Sequence, residues 1–547
     1  MELKYRSTNF EKNQPVFWYF TVLHQWMLYS FAALREPNRV IMNMKKTICS
    51  LLLCGVLQTA VSQSSTPLQV HIDLQHTAQT IQNFAASDAW ACQFTGNWPD
   101  SKREQMADWL FSPDTSSSGQ PNGIGLSMWR FNIGAGSAEQ GDSSGIKDEW
   151  RRAECFLEAD HTYNWQKQAG QLWFLQAAKA RGVTNFLGFL NSPPVAFTTN
   201  GKAFADHGQC NLAPDKYNAV SIFLRDVIRG VQKSTGVTLG YISPVNEPQW
   251  DWSDGGQEGC PYNNEQIYGL ATSIAQTFGA APLSTRILVT EAGQLNYLYA
   301  NESKPDKGMQ IKAFFDPHSA TYLGGHKNIY QGIAAHSYFT TSPMDTATTI
   351  RKKVLAALNG LEYWQSEYCI LGNNAGEMEG GKVDLGMDAA LYMARVIHTD
   401  LTVANASAWQ WWLAVSPYDY KDGLIYVDKN KTDGQIHDTK MLWVLGNYSR
   451  FVRPGAKRVS AELNDSAAMK NILVSAYKNT DNLVDIVVIN SGTNATTLAI
   501  QCKELRNKTL RSYTTNAQGN LQPGYVSGNT LSVPPRSVVT LTGKINK

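Results

Sequence analysis

Between residues 80 and 445, short apolar runs alternate with stretches whose apolar positions recur at helical spacing. The runs with strand character are Phe84–Asp88, Met128–Ile133, Asn185–Asn191, Leu239–Asn246, Ile287–Glu291, Ile333–Tyr338, Glu362–Glu367 and Ala406–Trp412. Amphipathic segments such as Trp165–Ala180 and Ala389–Leu401 separate them. Strands alternating with helices predict an α/β chain, folded as a (β/α)8 TIM barrel over residues 81–447. After about Ser449 the texture changes to short runs such as Val484–Ile489, Thr497–Gln501 and Val538–Thr542, broken by Gly, Asn and Pro. These predict an antiparallel β-sandwich over residues 448–547 with no helix. Leu68–Leu74, within residues 63–80, has the same character, so the sandwich is expected to be built from both chain ends.

A chain of 547 residues with 43% hydrophobic and 17% charged positions has material for a large core, which excludes wholesale disorder. The formal charge of +2 supplies no electrostatic reason to bind nucleic acid or an anionic membrane. Sixteen Trp and 23 Tyr suit a protein that stacks flat rings on something neutral, and sugar rings are such a partner.

The start of the chain reads separately. Met44-Lys45-Lys46, the apolar stretch Ile48–Leu57 and Ala60-Val61-Ser62 follow the basic, apolar and small-residue order of a secretory signal over residues 44–62. Residues 1–43 then read as an over-extended, non-native segment. Their apolar stretch Val16–Leu34 carries His24 and Gln25, so no stable membrane insertion is expected. Export would place the protein outside the cytoplasm, secreted or periplasmic. Loss of Cys49 and Cys54 with the signal leaves Cys92, Cys155, Cys210, Cys260, Cys369 and Cys502, which permit disulfides of undetermined pairing. They show no CxxC, and no metal is expected.

Two glutamates stand out because each ends an apolar strand: Glu247 closes the fourth run and Glu367 the seventh. The open end of a parallel barrel gathers such residues. Two carboxylates facing each other there can divide the work of a retaining glycosidase, one giving a proton and the other attacking a sugar carbon.

Six segments in order carry a resemblance over nearly all the mature length. They are Ala86-Ser87-Asp88-Ala89-Trp90, Arg130-Phe131-Asn132-Ile133-Gly134, Asn191-Ser192-Pro193-Pro194, Asn246-Glu247-Pro248, Trp364-Gln365-Ser366-Glu367 and Ser449-Arg450-Phe451-Val452-Arg453-Pro454-Gly455. The chain resembles glycoside hydrolase family 30, of the clan A retaining β-glycosidases. That resemblance implies a (β/α)8 barrel with a two-ended sandwich, Glu247 as acid/base, Glu367 as nucleophile, and Asn246 as the residue that holds the sugar 2-hydroxyl.

Other residues take roles around this pair. Arg130 is expected to hold Glu367 ionised, its alternative being a barrel-end salt bridge. His336 and Tyr338 share one face of the sixth strand, Tyr338 placed to donate to the nucleophile and His336 equally readable as a core histidine. Trp409 and Trp411 share a face at the end of the eighth strand, where Trp412 also lies; one of the first two is expected to floor the subsite of the cleaved sugar. Trp90, Trp250 and Trp252 are expected to stack further sugars, with core packing as the alternative for these and for Trp409 and Trp411; Asp88 and Glu291 are expected to make polar contacts.

Gly141-Asp142-Ser143-Ser144-Gly145 fits the GxSxG pattern but lies in a polar loop without the strand that a nucleophile elbow needs. His71 and His76 lack metal-ligand spacing, and no phosphate loop is present, so no cofactor is expected. The wording Ser243-Pro244-Val245-Asn246-Glu247-Pro248-Gln249-Trp250-Asp251-Trp252 and Glu367-Tyr368-Cys369-Ile370-Leu371-Gly372 is most similar to the endo-β-1,6-galactanase branch, whose substrate is arabinogalactan side chains. β-1,6-Glucan, xylan or a terminal β-linked sugar remain alternatives, as does a non-catalytic carbohydrate-binding barrel. A monomer is expected, with a polysaccharide or oligosaccharide as its partner.

Overall fold

The computed structural model describes residues 66–506 and 508–545, so the expected leader and the segment before it lie outside the described residues. Residues 66–547 form one compact unit. Its first strand, β1 (Leu68–Thr80), runs into eight parallel strands: β2 (Asn83–Ser87), β3 (Met128–Asn132), β4 (Asn185–Phe189), β5 (Tyr241–Ser243), β6 (Arg286–Ala292), β7 (Ile329–His336), β8 (Glu362–Glu367) and β9 (Ala408–Ser416). Neighbours pair in sequence, and β9 closes the ring by pairing with both β8 and β2. This is the expected (β/α)8 barrel.

Helices cover it because their apolar stripes need a partner. Tyr217–Thr235 buries Val220, Phe223, Leu224, Val227 and Val231 at helical spacing, and Gly236 ends it in the left-handed conformation. Asn263 and Gln266 form a capping box at the start of Asn264–Ala280, satisfying backbone N–H groups that a helix end leaves open. Two further strands, β10 (Gly423–Val427) and β11 (Ile436–Asp438), extend the sheet beyond β9, where no strand is expected from the sequence.

The sandwich follows the helix Lys440–Ser449. Its strands are β12 (Lys457–Leu463), β13 (Ile472–Lys478), β14 (Leu483–Asn490), β15 (Thr496–Gln501), β16 (Leu510–Thr515), β17 (Gln522–Val526), β18 (Thr530–Val533) and β19 (Ser537–Lys544). β1 joins them between β12 and β15, alternating Val70, Ile72 and Leu74 into the core with His71 and Asp73 outside. The β1–β15 pair is parallel, a departure from the wholly antiparallel expectation. A strand arriving from the far end of the chain has no hairpin to dictate its direction. One apolar cluster fills the sandwich, and the barrel's own core runs into its other face through Tyr477, Val487, Ile489 and Val538.

Among the described residues, no helix is long and apolar enough to cross a membrane. The GxSxG segment is a short 3-10 turn, Gly141–Ser144, whose Ser143 hydroxyl is exposed and donates to the Gln140 carbonyl.

Candidate active site

The C-terminal mouth of the barrel gathers residues that are far apart in sequence. Glu367 is the last residue of β8, and Glu247 lies just beyond β5. One oxygen of each, together with a ring nitrogen of His336, lie within 4.8 Å of one another. Carboxyl groups about 5–5.5 Å apart are the spacing of a retaining glycosidase. Glu247 takes a left-handed φ of 44° and Glu291, at the end of β6, one of 53°, conformations that a non-glycine residue adopts only when its surroundings impose them. The imposing contacts are the Glu247 N–H donating to the Glu291 carbonyl at 2.8 Å, and the Glu247 carbonyl accepting from Trp250 N–H and Trp252 Nε1–H, each at 3.1 Å.

Arg130, on β3, is fully buried. Its Nη1 donates to Glu367 Oε2 at 2.5 Å and its Nη2 to Asn246 Oδ1 at 3.2 Å, while Nη2 also stands 3.6 Å from Glu291 Oε2. The guanidinium lies over the Phe189 ring, 3.7 Å from its centre, a contact that a delocalised, weakly hydrated cation tolerates. Tyr338 Oη donates to the other oxygen of Glu367 at 3.0 Å.

His336 sits among three carboxylates. Its Nδ1 is 2.8 Å from Glu247 Oε1 and 3.6 Å from Glu367 Oε1; its Nε2 is 3.0 Å from Glu291 Oε2. Burial alone would lower its pKa, but the charge of Glu367 and the bonds to Glu247 and Glu291 outweigh that and bring it to about 10. The ring is therefore an imidazolium that donates from both nitrogens. Burial likewise would raise Glu291, yet Arg130, His336 and the Ser243 hydroxyl hold it at about 2. Glu247 goes the other way: burial, joined by the charge of Glu367, pushes it above the usual carboxylate range against the pull of His336 and Arg130. Glu247, His336 and Glu367 also have the spacing of metal ligands. The arrangement pairs a carboxyl group that can give up a proton with a carboxylate that can attack.

Three expectations need correction. Trp409 and Trp411 are fully buried and expose no ring face to a sugar. Trp409 Nε1 donates to Asp400 on the helix Met387–Thr402, and Trp411 Nε1 to the Asp422 carbonyl. Alternation along β9 gives the site the opposite face: Trp412 lies 5.9 Å from the Arg130 guanidinium and packs edge-on against Trp90 at 5.3 Å. Asp88 and Glu291 have no exposed surface and support the site from beneath. Asp88 accepts from Asn132 N–H at 2.7 Å and Gln171 Nε2 at 3.2 Å, and burial pushes its carboxyl up to about 8.

Trp90 keeps a small exposed edge, and the Arg151 guanidinium lies 4.7 Å from the centre of its ring. Trp250 is partly buried between Tyr297 and Phe339, and Trp252 is partly buried beside Glu247. Not foreseen from sequence are Ser243 and Ser366, whose hydroxyls both bond Glu291, and Glu258, which accepts from Ala135 N–H, Ser137 N–H and the Ser137 hydroxyl. The two serines lie inside motifs already quoted, but a buried serine carries no periodic signal of its own.

Comparisons with known proteins agree on one family. Residues 67–426 match the O-glycosyl hydrolase family 30 model, and residues 455–541 match the glycosyl hydrolase family 30 β-sandwich domain. The endo-beta-1,6-galactanase of Hypocrea rufa is 25% identical over 420 residues, covering 73% of this chain and 78% of its own. The glucuronoxylanase XynC of Bacillus subtilis (strain 168) is 24% identical over 520 residues, 92% of this chain and 99% of its own. A crystal structure of a conserved exported protein from Bacteroides fragilis matches with a TM-score of 0.81 and 34% identity, covering 87% of this chain and 100% of that one. The chain belongs to glycoside hydrolase family 30, a family of enzymes acting on O-glycosides.

Proposed function

We propose that this protein is an exported, retaining endo-β-1,6-galactanase that cleaves arabinogalactan side chains by double displacement. The observation that carries the mechanism is the pair of carboxylates with oxygens within 4.8 Å, one raised in pKa and the other bonded by Arg130 and Tyr338. Glu247 gives its proton to the glycosidic oxygen as Glu367 attacks the anomeric carbon, so the C–O bond to the leaving sugar breaks while the glycosyl–enzyme ester forms. With the charge of Glu367 consumed, Glu247 ionises readily and takes a proton from the incoming water. That water attacks the same carbon and frees Glu367. Support for galactan comes from the wording around the two glutamates and from the similarity to the Hypocrea rufa galactanase. Support for export is the residue order of 44–62.

A second substrate, glucuronoxylan, draws support from Arg151 above Trp90, where a cation would meet an acidic substituent, and from the similarity to XynC. A panel of β-1,6-galactan, β-1,6-glucan and glucuronoxylan, with product sizing, separates these. Proton NMR of the first product should show the β-anomer; an initial α-anomer rejects double displacement. Glu367→Gln should abolish turnover and keep glycan binding, while Glu247→Gln should slow hydrolysis by about 10²–10⁴-fold. Glycan binding by the wild type with no hydrolysis of any of the three would favour the carbohydrate-binding reading.

A further inference from the structure

Two cysteines stand close together on the loops beside Glu247. Cys210 ends the excursion that follows β4, Cys260 lies on the segment that leads away from Glu247 past Trp250 and Trp252, and their Sγ atoms are 3.7 Å apart. Cys260 is fully buried and Cys210 partly so. Backbone hydrogen bonds already join the two loops on both sides: Gly259 N–H donates to the Ala203 carbonyl at 2.9 Å, and Ala205 N–H to the Trp252 carbonyl at 3.0 Å. Gly259 is pressed against the Trp252 indole, where a Cβ would fall 2.5 Å from the ring. That indole in turn donates to the Glu247 carbonyl. A constraint at Cys260 is thus relayed through Gly259 and Trp252 to the backbone of Glu247.

We propose that Cys210 and Cys260 form a disulfide that latches the loop after β4 to the loop carrying Glu247. Forming it closes the sulfur separation from 3.7 Å to about 2.05 Å, a small side-chain movement between backbones already held in register. The oxidant is a low-molecular-weight disulfide such as oxidised glutathione. A thiolate attacks one of its sulfurs and releases one glutathione thiolate; the second cysteine, losing its proton, attacks the mixed disulfide and releases the other. Two protein thiols are oxidised by two electrons, and one disulfide is reduced to two thiols. Cys210 is the first attacker. It is the more exposed of the two, and the hydrogen bond from Cys260 and the charge of Lys307 hold its thiol below the usual range, whereas burial drives Cys260 well above it. The cross-link would close a loop between positions 50 apart and so restrict the unfolded chain.

The test uses the full chain equilibrated with oxidised glutathione, alkylated with iodoacetamide, digested without reductant and mapped by mass spectrometry. A linked peptide pair containing Cys210 and Cys260 is expected, lost in Cys260→Ser. Both residues alkylated, or either one bonded to another cysteine, overturns the pairing. Reduction of the wild type should lower Tm by on the order of 5 °C and speed hydrogen exchange in peptides covering Ala205, Gly259 and Tyr262. Unchanged exchange in those peptides would show that the bond is no latch.

Discussion

At Glu247 two opposing influences meet within one hydrogen bond. Burial and the charge of Glu367 favour the protonated carboxyl, while the His336 imidazolium 2.8 Å away favours the carboxylate. In the proposed mechanism the alkaline limb of kcat/KM reports loss of the Glu247 proton, so it should lie above the ordinary glutamate range. Replacing His336 by Gln keeps a hydrogen-bonding side chain and removes the cation, so Glu247 should hold its proton to higher pH. The alkaline limb is expected to move up by about 1 unit, read from a pH–rate profile; a downward move would mean that His336 is not charged. The imidazolium also links stability to pH. Its folded pKa of about 10 exceeds its unfolded value, so its contribution is complete below the ordinary histidine range and fades as pH rises through about 10.

Elements are tied together by a second buried ion pair on the far side of the strands. Arg351, on the helix Met344–Leu358, donates through Nε to Asp400 at 2.7 Å and through Nη1 to the Thr340 carbonyl at 2.7 Å. Asp400, on the helix Met387–Thr402, also accepts from Ser337 and Trp409. Two helices, a loop and β9 thus share one carboxylate. Arg351→Met leaves that charge buried without its cation and should cost about 3–5 kcal/mol, measured as a fall in the urea midpoint. Burial already raises Asp400 despite Arg351, and a raised folded pKa means stability is lost as pH increases. The deficit of the variant should therefore be smallest in acid, where Asp400 is protonated, and grow toward neutral pH; a pH-independent deficit would point to lost packing alone.

For the whole molecule, the sandwich is a product of both chain ends. β1 stands between β12 and β15, so deleting residues 66–80 would part the β15–β18 strand pair from the rest of the sheet. Limited proteolysis is expected to cut such a protein within residues 455–545 while the intact chain resists, and equal resistance would show β1 to be dispensable. The eight barrel strands, a sandwich after the barrel and Glu367 at the end of its strand could be read along the chain, whereas Glu247, expected to close the fourth strand, lies beyond the end of β5 at Ser243. Each rests on a local pattern: an apolar run, a turn residue, a motif within ten positions or so. The faces at the mouth could not be read that way. Trp409, Trp411 and Trp412 are adjacent aromatics on a strand buried on both sides, where apolar periodicity does not distinguish the lumen from the helix layer. Only the packing of Trp409 on Asp400 and of Trp412 beside Arg130 decides it. The same holds for charge. That His336 is a cation and that Asp88 and Glu291 support the site from below follow from which groups barrel closure brings within a few ångströms, through strands distant in sequence. Local sequence determined the elements and the residue types of the candidate site; long-range proximity and burial decided their protonation and their neighbours.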